Sequence, residues 1–198
     1  MLVNFKPAWW FMEVPRTGTS TIERSLRFAF PEAKAPYAKH WPLLPPEDFL
    51  KDKPLSVISV RNPFSRAVSC WQYFTRPGSI SFLDWTRERL EQGWFDVHIE
   101  ARPQSFWYEL SAWDVVIQQE HLADDFWGFI DKVSPETARF KLHRYNDING
   151  SWVNRVRAKT KREQPWRDYY CQKSEQNVRE LYDSDFLCLS KWYSRKLS

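Results

Sequence analysis

Residues 9–14 are apolar and aromatic around one acid, Glu13, a run short enough for a buried strand. Residues 15–20 mix Pro, Arg, Gly and hydroxyls and read as a loop. From 20 to 30 the apolar residues Ile22, Leu26 and Phe30 return every fourth position, one face of a helix, and Pro31 stops it. Pro45 and Pro46 introduce a short helical stretch over 47–51. Residues 55–60 form the clearest strand, β-branched and bounded by Pro54 and Arg61. A helix follows over 64–74. Ser81 can cap another over 82–92, with Gly93 as its stop. A Val-Val-Ile run marks a strand within 114–119, and helices are expected over 122–133 and 174–182.

Strands alternating with helices predict an α/β fold, three layers αβα with a central parallel sheet covered on both faces. In such sheets ligands gather at the carboxyl ends of the strands. Two loops therefore become candidates, one after Val14 and one after Val60.

The chain has 198 residues, which suits one domain spanning 1–198. Twelve Trp are many, and most are expected in packing, with a few free to stack on an adenine or a sugar. The net charge is +4, from 29 basic and 25 acidic residues. So mild an excess fits a small anionic ligand better than a long polyanion, so no nucleic-acid partner is expected. The charge is uneven: residues 155–167 hold six basic side chains and one acid, Glu163. Cys70, Cys171 and Cys188 are odd in number and without metal-site spacing, which suggests reduced thiols and a cytoplasmic setting. No basic-then-apolar leader, no run of membrane-spanning length and no metal-ligand cluster is expected.

The first loop, Pro15-Arg16-Thr17-Gly18-Thr19-Ser20-Thr21, leads from a strand into a helix N-terminus. Its backbone N–H groups and the helix dipole favour an anion, and Arg16 adds charge. It has one glycine and no Gly-Lys-Ser/Thr ending, so it is not a Walker A sequence. The second loop starts at Arg61, with Ser69 eight residues later in the following helix. An Arg fork plus a hydroxyl can hold a second phosphate. Arg66 is assigned to a structural ion pair.

Pro15-Arg16-Thr17-Gly18-Thr19-Ser20 resembles the 5′-phosphosulfate loop of sulfotransferases that use 3′-phosphoadenosine 5′-phosphosulfate (PAPS). Arg61-Asn62-Pro63 with Ser69 is similar to their 3′-phosphate motif, in the same order and each after a strand. Weaker echoes run from about Trp9 to Tyr193: Gln119-Glu120-His121-Leu122 resembles the turn after a later strand, and Tyr169-Tyr170 with 178–186 the C-terminal helix of carbohydrate-type and bacterial members. The resemblance implies a P-loop-like sulfotransferase fold. It implies PAPS as co-substrate, with Arg16, Thr17, Gly18, Thr19, Ser20 and Thr21 at its 5′ end. Arg61 and Ser69 would meet the 3′-phosphate, and Arg155, Arg157 and Lys159 of the basic run would close over it. A sulfuryl group would pass in line to a hydroxyl or amine of the acceptor, and the family favours a carbohydrate. Trp41 and Phe106-Trp107-Tyr108 are the candidate sugar platforms.

Most such loops carry Lys where this chain has Arg16. Arg keeps the charge but is a poor proton donor, so Arg16 is expected to stabilise charge and not to protonate the leaving group. The acceptor needs a base. His40 lies in the Pro-rich connection 36–46 between the two loops, and related enzymes place their base His upstream of the Arg motif. Glu13 is the alternative, either as base or orienting Arg16. His121, beside Glu120, reads as structural. Two other classes compete. A P-loop-like small-molecule kinase would need a Walker Lys and a Mg²⁺-binding hydroxyl after it, which are not in the loop. A nucleic-acid-binding module would use the basic run and the aromatics, but leaves two phosphate loops at strand ends unexplained.

Overall fold

The structure is a computed structural model and describes residues 1–75, 79–93, 99–142 and 165–193. In chain order the strands are β1 (Leu2–Phe5), β2 (Ala8–Met12), β3 (Leu55–Val60) and β4 (Val115–Gln118). The helices are α1 (Thr19–Ala29), α2 (Glu47–Leu50), α3 (Pro63–Phe74), α4 (Phe82–Gln92), α5 (Ser105–Tyr108), α6 (Leu122–Val133), α7 (Gln172–Leu181) and α8 (Asp183–Cys188). The described residues fall into two compact units, 1–61 with 106–142, and 62–75, 79–93 and 99–105 with 165–193.

The first unit holds the sheet, an open four-stranded one in the order β1-β2-β3-β4. β2, β3 and β4 are parallel, in a register that pairs Phe11 with Val57 and Val57 with Val115. β1 runs antiparallel to β2, with Leu2 opposite Phe11. Leu2, Trp9, Phe11, Val57, Val115 and Ile117 share one face and pack with Ile22 and Leu26 of α1 and Phe126, Phe129 and Ile130 of α6. Trp9 meets Phe30 and Phe129 edge-on at 5.2 and 5.7 Å. The alternate residues Val3, Trp10, Met12, Ile58 and Val60 are buried as well. Both faces of the sheet are therefore covered, which is why β3 is apolar on both its sides. Asp114 closes the start of β4 on β3: its Oδ2 accepts from the Ser56 amide and hydroxyl at 2.8 and 2.6 Å.

The second unit is helical. Its core gathers Phe64, Ala67 and Val68 of α3, Phe82 and Trp85 of α4, and Val178, Leu181, Tyr182 and Phe186. Asn62 caps α3, its Oδ1 accepting from the Phe64 amide at 3.0 Å, with Pro63 in the first turn. Ser81 caps α4 through the Asp84 amide at 3.1 Å, and Gly93 ends it at φ 66°. Arg66 is completely buried, with its guanidinium carbon 5.9 Å from the Tyr182 ring centroid. Asp185, also buried, accepts from the Ser105 amide at 2.8 Å and the Gln104 side chain at 3.3 Å. Burial pushes Asp185 above the ordinary carboxylate value, while the Arg66 charge pulls the other way.

The local expectations for α1, α2, β3, α3, α4, β4 and α6 agree with these bounds to within a residue. Three do not. The strand expected over 9–14 leaves the ladder after Met12, so Glu13 and Val14 belong to the loop. The sheet is mixed, because Leu2–Phe5 folds back on β2. α7 starts at Gln172 instead of 174, and α8 follows it directly. Among the described residues no helix is long and apolar enough to cross a membrane.

Candidate functional site

The first unit builds the site from the carboxyl end of β2. Beyond Met12 the chain turns through Pro15 to Gly18 and enters α1 at Thr19. Arg16 has φ 66° and Gly18 φ 86°, both left-handed. Gly18 is required twice over. Its φ suits glycine, and a Cβ there would lie 3.2 Å from Cγ of Gln119. The turn at Gln119–His121 therefore lies against the loop. Gly18 is the N-cap of α1, and no side chain caps this helix among the described residues. The Thr21 amide donates to the Gly18 carbonyl at 3.0 Å, and the positive end of the α1 dipole lies at this loop.

The Thr17 hydroxyl is buried and fixes the loop. It donates to the Val14 carbonyl at 2.7 Å and lies 2.6 Å from the Ser59 hydroxyl. Thr17 has one proton and uses it on Val14, so Ser59 is the donor between the two hydroxyls. Thr17 is thereby a structural residue of the cradle. Thr19 is buried in the first turn of α1, and Ser20 and Thr21 are half-buried.

Two distant residues reach this loop through its carbonyls. Arg61, just past β3 and buried, donates Nη1 to the Arg16 carbonyl at 3.3 Å. His40 places Nδ1 2.9 Å from the Glu13 carbonyl. A carbonyl only accepts, so Nδ1 carries the proton and Nε2 holds the lone pair of the neutral ring. That is the tautomer a base requires. His40 itself sits at φ 65°, and the buried Trp107 indole donates to its carbonyl at 3.1 Å. Among the described residues the non-glycine positions with left-handed φ are Arg16, His40 and Lys53. Two of the three carry candidate chemistry. Strained backbone at such residues is held by the surrounding structure and concentrates at functional sites.

Glu13 is buried, with one carboxylate oxygen 2.5 Å from the Met1 α-amino nitrogen and the other 3.7 Å from Lys39 Nζ. Lys39 also lies 2.6 Å from Glu23 and 3.3 Å from the Ser20 hydroxyl. Burial pushes the Glu23 carboxyl up, but Lys39 and Arg27 beside it outweigh this and hold it below its ordinary value.

The first unit thus brings together Glu13, Arg16, Thr17, Gly18, Thr19, Ser20, Thr21, His40 and Arg61. Ser69 belongs to the second unit, buried two turns into α3. Arg155, Arg157 and Lys159 lie outside the described residues. Of the aromatic platforms, Trp107 is fully buried and is an anchor for His40, whereas Trp41 and Phe106 are 50% and 39% exposed. His121 is exposed at the start of α6. Lys39 and Ser59 were not singled out by sequence. Ser59 reads as an ordinary strand position, and Lys39 meets Ser20 and Glu23 only through a long-range contact. Among the described residues no group of three His, Cys, Asp or Glu side chains could hold a metal ion. No family model matches the chain, and neither a curated protein nor a solved structure matches it.

Proposed function

We propose that the chain is a PAPS-dependent sulfotransferase, transferring a sulfuryl group to a hydroxyl or amine of an acceptor, with a carbohydrate the favoured class. The observation that carries this reading is the convergence on one loop. Arg61, a candidate for phosphate chemistry, donates to the Arg16 carbonyl inside the phosphosulfate cradle, and His40, the candidate base, lies 2.9 Å from the carbonyl of Glu13, just before that cradle. The reading includes a three-layer, P-loop-like architecture, supported by a sheet buried on both faces and by the strand–loop–helix unit β2–α1.

In this reading His40 Nε2 takes the proton of the acceptor hydroxyl as its oxygen attacks sulfur. The bond from sulfur to the bridging oxygen breaks, and the electron pair leaves with the 5′-phosphate. Arg16 and the positive end of the α1 dipole stabilise the charge that collects there. Glu13, tied to two cations, positions Lys39 and carries the His40 contact through its carbonyl. Arg61 binds the 3′-phosphate. Ser69, Arg155, Arg157 and Lys159 keep the nucleotide roles that the resemblance gives them, and Trp41 and Phe106 offer exposed rings to the acceptor.

The test is calorimetry at fixed salt with 3′-phosphoadenosine 5′-phosphate (PAP), adenosine 5′-phosphate and ATP–Mg. Charge-assisted hydrogen bonds contribute about 1.5–3 kcal/mol each, so the 3′-phosphate should improve affinity by about 10²-fold or more. Arg61→Ala should erase most of that difference. Equal affinity of the wild type for PAP and adenosine 5′-phosphate would sink the reading, and preference for ATP–Mg would favour a kinase.

A further inference from the structure

We infer that Lys39, outside either nucleotide loop, is the proton donor to the departing phosphate. This rests on the sulfotransferase reading and adds a catalytic residue to it. The departing group needs a proton or a cation at the oxygen that gains the electron pair. Arg16, at the loop position, keeps its charge and is a poor donor. The structure brings a lysine to the same end of α1 by another route. Lys39 Nζ is 3.3 Å from the hydroxyl of Ser20, in the first turn of that helix. It is 38% exposed, so water can return a proton to it after turnover.

The His40 turn explains how one dipeptide serves both ends of the reaction. The left-handed φ of His40 sends its ring to the Glu13 carbonyl, while the preceding residue extends to Ser20 and Glu23. Glu13 and Glu23 flank the ammonium at 3.7 and 2.6 Å and hold it at the helix end. The balance is complete. The acceptor oxygen forms its bond to sulfur and gives its proton to His40. The sulfur–oxygen bond to phosphate breaks, and Lys39 gives a proton to the oxygen released. His40 then loses its proton to water, and Lys39 regains one.

The experiment uses the full chain with radiolabelled PAPS, water as acceptor, and release of labelled sulfate as the rate. PAP affinity and thermal unfolding are measured on every variant. Lys39→Arg keeps the charge and the ion pairs but not the donor. It should lower turnover by about 10²–10³-fold while PAP affinity and unfolding stay near wild type. Adding Arg16→Lys, which restores a lysine to the loop, should recover turnover to within about tenfold of wild type. Wild-type turnover in Lys39→Arg, or a double variant no faster than Lys39→Arg alone, overturns the assignment. So does a wild type that binds PAP yet releases sulfate no faster than buffer. Failure of the wild type to bind PAP overturns the sulfotransferase reading itself, and is read in a separate measurement.

Discussion

Each unit buries polar and charged groups, but by opposite means. In the second unit Arg66, Asp185 and Tyr182 are fully buried in or beside ordinary helices, and Asp185 is satisfied by an amide and a side-chain amide. In the first unit Arg16 and His40 sit on left-handed backbone with side chains only half-buried, each held through a carbonyl. The carboxylates differ in the same way. Burial raises Asp185, whereas Lys39 and Arg27 hold Glu23 down against burial. Buried charge on regular backbone is part of a scaffold. Strained residues with accessible charge mark the place where the fold has given up stability for something else.

The largest effect should come from removing strain and chemistry together. Glycine adopts φ near 65° without steric cost, whereas an L side chain there costs about 1–2 kcal/mol. His40→Gly gives up its ring, its Nδ1 bond and some chain entropy, so its stability should stay within about 1 kcal/mol of wild type. Turnover of radiolabelled PAPS should nonetheless fall by about 10²–10⁴-fold. Arg16→Gly should unfold at the same temperature as wild type or higher, with turnover again lost. A glycine variant at either position that melts well below wild type would make that residue scaffold, and the contrast between the units would disappear.

Arg66→Ala tests the other side of the comparison. Removing one member of a buried charged group leaves its neighbour uncompensated, and the usual cost is about 3–5 kcal/mol. Here the raised Asp185 can take up a proton and soften the loss, so the low end is expected, read as a shift in urea midpoint. Whatever protein remains folded should bind PAP with near wild-type affinity. Full stability with lost PAP binding would move Arg66 from scaffold to site.

These contrasts were only partly legible in the chain. Helix ends were readable because their signals are local: Asn62-Pro63, Ser81 and Gly93 act through their own turns. β1 was not, because Leu2–Phe5 is a strand only by virtue of its ladder with β2, and a four-residue run carries too little period to announce itself. The phosphate cradle was readable as composition, yet the division of labour within it was not. Thr17 looked like a ligand residue and is committed to Val14 and Ser59. Trp107 looked like a sugar platform and is buried under His40. Lys39 carried no signal at all, since its reach to Ser20 is set by the path of the whole chain between them. Long-range contacts set through backbone torsions have no periodicity from which to be read.

The smallest effect is the pH dependence of the Lys39 cluster. Glu23 is held below its ordinary value of 4.5 in the folded chain. The folded state therefore favours the ionised carboxylate. The stability this adds is complete above pH 4.5 and is lost as pH falls through the lower folded value. Both cations are substantially exposed, Arg27 at 42% and Lys39 at 38%, so solvent screens the pairs and the gain is about 0.5–1 kcal/mol. Glu23→Gln should therefore melt slightly below wild type at pH 7, and the gap should close as pH drops below 4.5. Added salt should narrow it at neutral pH, as exposed ion pairs require. Asp185 has the opposite sign. Its carboxyl is raised above 3.8, so its contribution is complete below that value and fades as pH rises through the folded one. Asp185→Asn should leave the acid gap of Glu23→Gln untouched. If the gap instead persisted unchanged to low pH, Glu23 would act through packing, and the tether that holds Lys39 at the end of α1 would not be electrostatic.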